Sequence, residues 1–182
     1  MKTTVIFVLT VLSFQIVIGQ DKYLTNEGVI SFYSHTAIED ITAINEKVAA
    51  VIDSESGEVA IIVVMSEFQF EKKLMQEHFN ENYVESEKYP KAIFNGHITD
   101  NGKVDYKAPG IYEVQVKGEM TIHGVAREVT SEGTVEVSRN GITARTKFML
   151  NPEQYEIKIP KVVRNNIADN MEITVELFCT PI

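Results

Sequence analysis

The chain has 182 residues, 17 basic against 26 acidic side chains, a net charge of −9 and 44% hydrophobic residues. An acid-rich balance excludes binding that rests on neutralising phosphates, so nucleic acid is not an expected partner, and it argues against adhesion to anionic lipid surfaces. The single cysteine, Cys179, rules out an internal disulfide, so stability has to come from packing.

Residues 1–20 have the layout of a secretory signal peptide. Lys2 is followed by an apolar run from Val5 to Ile18, with Gly19 and Gln20 at the expected cleavage point. That run is shorter than the ~20 residues a spanning helix needs, so no stable membrane insertion is expected once the segment is removed. The mature chain is then residues 21–182, long enough for one domain with its own core. An exported protein, periplasmic or secreted, is the expectation, and a homodimer is compatible with it.

From Gly28 onward the pattern alternates. Val29 to His35 follows an Asn26-Glu27-Gly28 turn, and Val48 to Ile52 and Glu58 to Met65 read as strands joined by a loop of hairpin length. Val59 to Met65 is apolar on both faces, which predicts that the following helix covers it. That helix spans about residues 70–82. Phe70, Leu74, Met75, His78 and Phe79 recur at three- and four-residue steps, and Tyr89-Pro90 then forces an extended backbone.

Ala92 to Ile98 is the next strand. Ile111 to Ile122 has the cleanest two-residue period, with Tyr112, Val114, Val116, Gly118, Met120 and Ile122 on one face. His123-Gly124 turns the chain into Val129 to Ser138, and Arg139-Asn140-Gly141 predicts a tight hairpin to Ile142–Leu150. Between Asn151 and Asn170 the period weakens, giving a flap over a cavity mouth or an irregular edge strand. Met171 to Cys179 is the last strand, on which Cys179 reads as a small buried hydrophobe. About eight evenly spaced strands with one apolar face each fit a sandwich or an up-and-down barrel.

Two stretches carry a family resemblance: LMQEHFNENYVESEKYPKAIF, with Leu74, His78, Phe79, Tyr89, Pro90 and Phe94, and VKGEMTIHGVAREV, with Gly118, Met120, Thr121, Ile122, His123, Gly124 and Val125. Together they resemble the YceI-like family of lipid-binding proteins, over essentially the whole mature chain. The resemblance implies an all-β fold, an eight-stranded antiparallel lipocalin-like β-barrel with one helical insertion. It also implies an apolar lumen holding a polyisoprenoid or similar long-chain lipid, non-covalently and with no other cofactor. Asn151-Pro152 stands where many members carry an Arg ahead of the last strands, a departure that bears on the ligand's head group.

Face parity then gives the expected lumen residues: Phe32, Ala50, Ile61, Val63, Leu74, His78, Phe79, Phe94, Tyr112, Val114, Val116, Phe148 and Val175. His78, on the apolar stripe, is expected to pack with one ring nitrogen bonded to a loop carbonyl. His35, His78, His97 and His123 have no metal-ligand spacing, and nucleophile and phosphate-loop motifs are absent, so neither a metal site nor an enzyme is expected. The alternative is a structural or interaction module whose barrel is filled by its own side chains. A third reading, an enzyme on a small hydrophobic substrate, lacks a catalytic constellation.

Overall fold

A computed structural model describes residues 21–182; residues 1–20, expected from the sequence to be a signal peptide, lie outside the described residues. The strands are β1 (Lys22–His35), β2 (Asp40–Asp53), β3 (Glu58–Val64), the two-residue β4 (Gln69–Phe70), β5 (Lys91–Ile98), β6 (Gly110–Ile122), β7 (Val125–Ser138), β8 (Gly141–Leu150) and β9 (Met171–Pro181). All pairings are antiparallel. The ladder runs β2-β3-β5-β6-β7-β8-β9-β1, and pairing of β1 with β2 closes eight long strands into a barrel. Closure removes the free edges that an open sheet of this composition would expose.

The strand directions give the barrel two unlike ends. Short turns and the loop 99–109 gather at one end. The β1–β2 turn, the segment 65–90, the β6–β7 turn and the segment 151–170 gather at the other. The first end is closed by Tyr23 stacked on Tyr106 (5.9 Å between ring centroids) and by buried Val104, Val137, Ile142 and Cys179. Burial raises the Cys179 thiol to about 11, which leaves it protonated and unreactive at neutral pH.

β1 and β2 are both longer than their sequence signals. Asn26-Glu27-Gly28 is a bulge inside β1, not a turn before it: the β1–β2 register shifts between Thr25 and Gly28 and again between Gly28 and Ile30. On β2 the inward face includes Asn45, which is fully buried. Asn45 lies where β2 exchanges β3 for β4 as its partner. Its Nδ2 donates to Val64 O (2.9 Å), and its Oδ1 accepts from Lys47 N–H (2.9 Å). An Asn45→Ala substitution orphans both groups, and at ~1–3 kcal/mol for a buried unsatisfied group we expect urea unfolding to show a loss of about 2–4 kcal/mol.

The helix is shorter than predicted. α1 spans Lys73–His78 and runs into a π-type turn, Phe79–Tyr83, closed by Val84 N–H bonding to Phe79 O (2.9 Å). Phe70 belongs to β4 and pairs with Ala43. The expectation that this helix covers the outer face of β3 is corrected. Val59, Ile61 and Val63 point inward, while Ile62 on the other face is exposed, because the helix sits across the barrel end.

Candidate functional site: an apolar barrel lumen

The inward residues of the strands do not all meet one another. On β6 the inward-facing Val114, Val116, Gly118, Met120 and Ile122 are only half-buried, although the barrel wall surrounds them. The surface they leave accessible faces a cavity of ≈ 500 Å³, within the ~300–1,000 Å³ range of ligand sites. From Val114 to Ile122 the wall spans eight residue steps, which at ~3.4 Å per step and a tilt of ~40° gives a lumen ~20 Å deep. Its shape is long and narrow, and its wall is chiefly aliphatic and aromatic.

Local sequence keeps the lumen clear on one side. Gly96 and Gly118 face each other across β5 and β6, and a Cβ on Gly118 would lie 2.4 Å from Asn95 O and 2.8 Å from Phe94 Cζ. The Phe94 ring therefore lies along the wall over a glycine pair, where side chains would otherwise hold it off. Two strands further round the wall the β7–β8 ladder stops at the pair Gly133–Thr146, and β7 from Val125 to Glu132 and β8 beyond Thr146 part from one another. The hydroxyls of Ser131 and Thr146, 2.7 Å apart, mark the start of this seam, and Thr130, Ser131 and Thr146 reach the cavity there.

The segment 151–170 leans on the upper seam and the mouth. Pro152 and Tyr155 are buried, and Arg127 Nε donates to Gln154 O (3.1 Å). Ile157, Ile159, Val163 and Ile167 line the cavity, so the segment is the flap and not an edge strand. Across the mouth, α1 is held by a cluster of four rings. Phe79 lies 5.7 Å from Phe32, 5.6 Å from Phe68 and 5.0 Å from Phe70.

Glu39 bridges the two covers. Its Oε1 accepts from Lys72 Nζ (2.8 Å), just before α1, and its Oε2 accepts from Asn166 Nδ2 (3.1 Å) on the flap. The hydrogen bonds from Lys72 and then Asn166 lower the Glu39 carboxyl below its ordinary 4.5. A lowered carboxyl holds the folded arrangement fully above that ordinary value and releases it as pH falls through the lowered one. As the pH falls through that lowered carboxyl we expect faster hydrogen exchange of the flap amides Val163 to Ile167, while Glu39→Gln shows the fast exchange already at neutral pH.

Of the thirteen residues expected at the lumen, eleven lie on the cavity wall: Phe32, Ile61, Val63, Leu74, His78, Phe79, Phe94, Val114, Val116, Phe148 and Val175. Ala50 and Tyr112 do not. Ala50 shares the inward face with Ile52 but is buried, its methyl too short to reach the cavity. Tyr112 turns to the closed end, where its hydroxyl donates to Ala108 O (3.0 Å), so β6 first lines the cavity at Val114. His78 is exposed at the rim and makes no hydrogen bond among the described residues, because the short helix leaves its ring facing the opening.

The histidine that bonds a loop carbonyl is the half-buried His123. Its Nδ1 donates to Tyr155 O (3.2 Å), its Nε2 lies 2.8 Å from Glu85 Oε2, and Tyr89 packs on it at 4.3 Å. Gly124 follows with φ +75°, and a Cβ there would sit 2.8 Å from the Tyr89 ring. The Tyr-Pro and His-Gly motifs thus form one knot that ties β5, the β6–β7 turn and the flap together. Glu39, Lys72 and Asn166 escaped sequence reasoning, since polar residues in loops carry no periodic signal.

A closed eight-stranded antiparallel barrel around an apolar cavity defines a lipocalin-like barrel. The chain belongs to the YceI-like family, whose domain it matches over residues 23–178. Among solved structures it is similar to a polyisoprenoid binding domain from Saccharophagus degradans implicated in plant cell wall breakdown. That match has 14% identity, covers 89% of this chain and 99% of that one, and has a TM-score of 0.78. Burkholderia cenocepacia BcnA matches at 16% identity, 82% and 94% coverage and a TM-score of 0.68. The Campylobacter jejuni YCEI protein matches at 13% identity, 99% and 93% coverage and a TM-score of 0.57. No curated protein matches the sequence.

Proposed function

We propose that this protein is an exported carrier or sequestering protein that holds a polyisoprenoid or similar long-chain lipid in its barrel. The ≈ 500 Å³ lumen carries the proposal: it is long, apolar, and has its polar groups at the mouth and along the β7–β8 seam. The ligand's chain would lie against Phe32, Ile61, Val63, Phe94, Val114, Val116, Phe148 and Val175, with Leu74, His78 and Phe79 at the mouth. Each buried methylene contributes ~0.8 kcal/mol, so a long chain needs few specific hydrogen bonds to bind tightly. The work is desolvation, with no bond made or broken. Family membership and the polyisoprenoid-binding neighbour support the ligand class. The apolar run after Lys2 supports export.

A barrel filled by its own side chains fits less well, since half-buried inward residues on β6 leave their surface to a void. The test is gentle purification from the native compartment, lipid extraction and mass spectrometry. A stoichiometric prenyl or long-chain lipid is expected. Empty protein that also takes up no added prenyl lipid removes the reading.

A further inference from the structure

The mouth has a feature that holding a lipid does not require. Three separate loops meet there, joined through Glu39: the β1–β2 turn, the segment entering α1 through Lys72, and the flap through Asn166. Near each junction an aliphatic side chain points into solvent. Ile38 is 63% exposed, Leu74 62% and Val162 92%. Scattered exposed aliphatics are ordinary on a protein surface. These three differ in standing on segments tethered to one carboxylate at the opening of an apolar cavity (Ile38 on the β1–β2 turn, Leu74 on α1, Val162 on the flap), with Glu39, Lys72, Leu74 and Asn166 themselves on its wall.

The cations nearby are placed to match. Lys73 is next to Leu74 and Lys161 next to Val162. Both are exposed and neither has an ion-pair partner among the described residues. Glu71 precedes α1 and Glu77 lies on it, and Asp169 on the flap is paired with Arg164. An aliphatic residue beside an unpaired lysine suits an interface where acyl chains lie beneath phosphates.

We propose that this rim docks on a phospholipid surface, so that a lipid chain passes between bilayer and lumen without crossing water. The proposal rests on the carrier reading above. The net charge of −9 disfavours long-range attraction to an anionic bilayer. Insertion of the aliphatic residues therefore drives the contact, the lysines meet individual phosphates, and a zwitterionic surface is the one that fits.

The test is flotation of the mature protein with phosphatidylcholine vesicles, beside uptake of a fluorescent prenyl lipid from a detergent-dispersed stock. The variants are Ile38→Ser with Val162→Ser, and Lys73→Glu with Lys161→Glu; none of these residues lines the cavity. The wild type is expected to float. The serine pair should lower its bound fraction about tenfold, in keeping with loss of most of the inserted apolar surface, and the glutamate pair should lower it less. Uptake from detergent should be unchanged in both. A wild type that does not float, or variants that float equally well, overturns the proposal. Rim-dependent flotation without uptake supports docking and removes the carrier reading, whereas uptake without flotation does the reverse.

Discussion

Val116→Trp is expected to abolish lipid uptake and leave the barrel folded. Val116 points inward from the middle of β6, paired with Ile98 on β5 and Ser131 on β7, and is half-buried because its outer surface faces the void. In a filled core an added ring forces its neighbours off their rotamers, at ~1–3 kcal/mol or more. Here the ring enters space that is empty or occupied by ligand. It buries its own apolar surface there, so the melting temperature should hold or rise. Uptake of a prenyl lipid should fall at least about tenfold, since a ring across a narrow lumen removes many of the methylene contacts that drive binding, each worth ~0.8 kcal/mol. Circular dichroism, a thermal melt and a fluorescence uptake assay on the same preparation are sufficient. A variant that melts well below the wild type would mean that side chains already fill the lumen. A stable variant with unchanged uptake would place the ligand elsewhere.

How far the sequence showed this arrangement depended on how strongly each face was marked. β6 was legible throughout because its inward residues alternate with Glu113, Gln115, Lys117 and Glu119 without a break. The Asn-Gly hairpin was legible because Gly141 must take a φ of +149° with Cys179 O so close that a Cβ has no room. The first halves of β1 and β2 were hidden for two different reasons. In β1 a bulge placed Asn26, Glu27 and Gly28, residues that usually signal a turn, inside a continuous strand. In β2 the inward face reads Ile41, Ala43, Asn45, and a buried asparagine erases the apolar signal although its hydrogen bonds hold the β3–β4 break together.

The helix was misjudged by its apolar stripe. The three- and four-residue period was present, but it faces a cavity mouth, so Leu74 and His78 stay exposed where a core-facing stripe would bury them. Parity assigned the lumen residues well along the middle of each strand. It failed at Tyr112, because parity gives the side a residue points to and not how far along the barrel axis it sits.

Phe79→Ala is expected to undock the helix from the mouth without unfolding the barrel. Phe79 is the ring that Phe32, Phe68 and Phe70 share, at 5.0–5.7 Å, and it stands at the junction of α1 with the π-type turn. Truncating a buried Phe costs ~3–5 kcal/mol. Phe79 is half-buried, so about 2–3 kcal/mol is the expected loss by the same rule. A helix of six residues has no stability of its own, far below the ~12–15 residues at which isolated helices become marginal. The loss should therefore appear as local opening. Hydrogen exchange at Met75, Gln76 and Val84, whose amides bond within this segment, should accelerate 30-fold or so, about what 2 kcal/mol gives at 1.4 kcal/mol per decade, while amides of β6 and β9 keep their protection. Lipid dissociation should quicken in step, because the mouth loses one of its two covers. Phe79→Leu should recover part of both effects. Phe32→Ala removes a ring from the same cluster but lies on β1 within the closed ladder, so its loss should lower global stability instead. If Phe79→Ala also speeds exchange in β6 and β9 to the same degree, the helix and the barrel unfold as one unit, and α1 does not act as a separate cover.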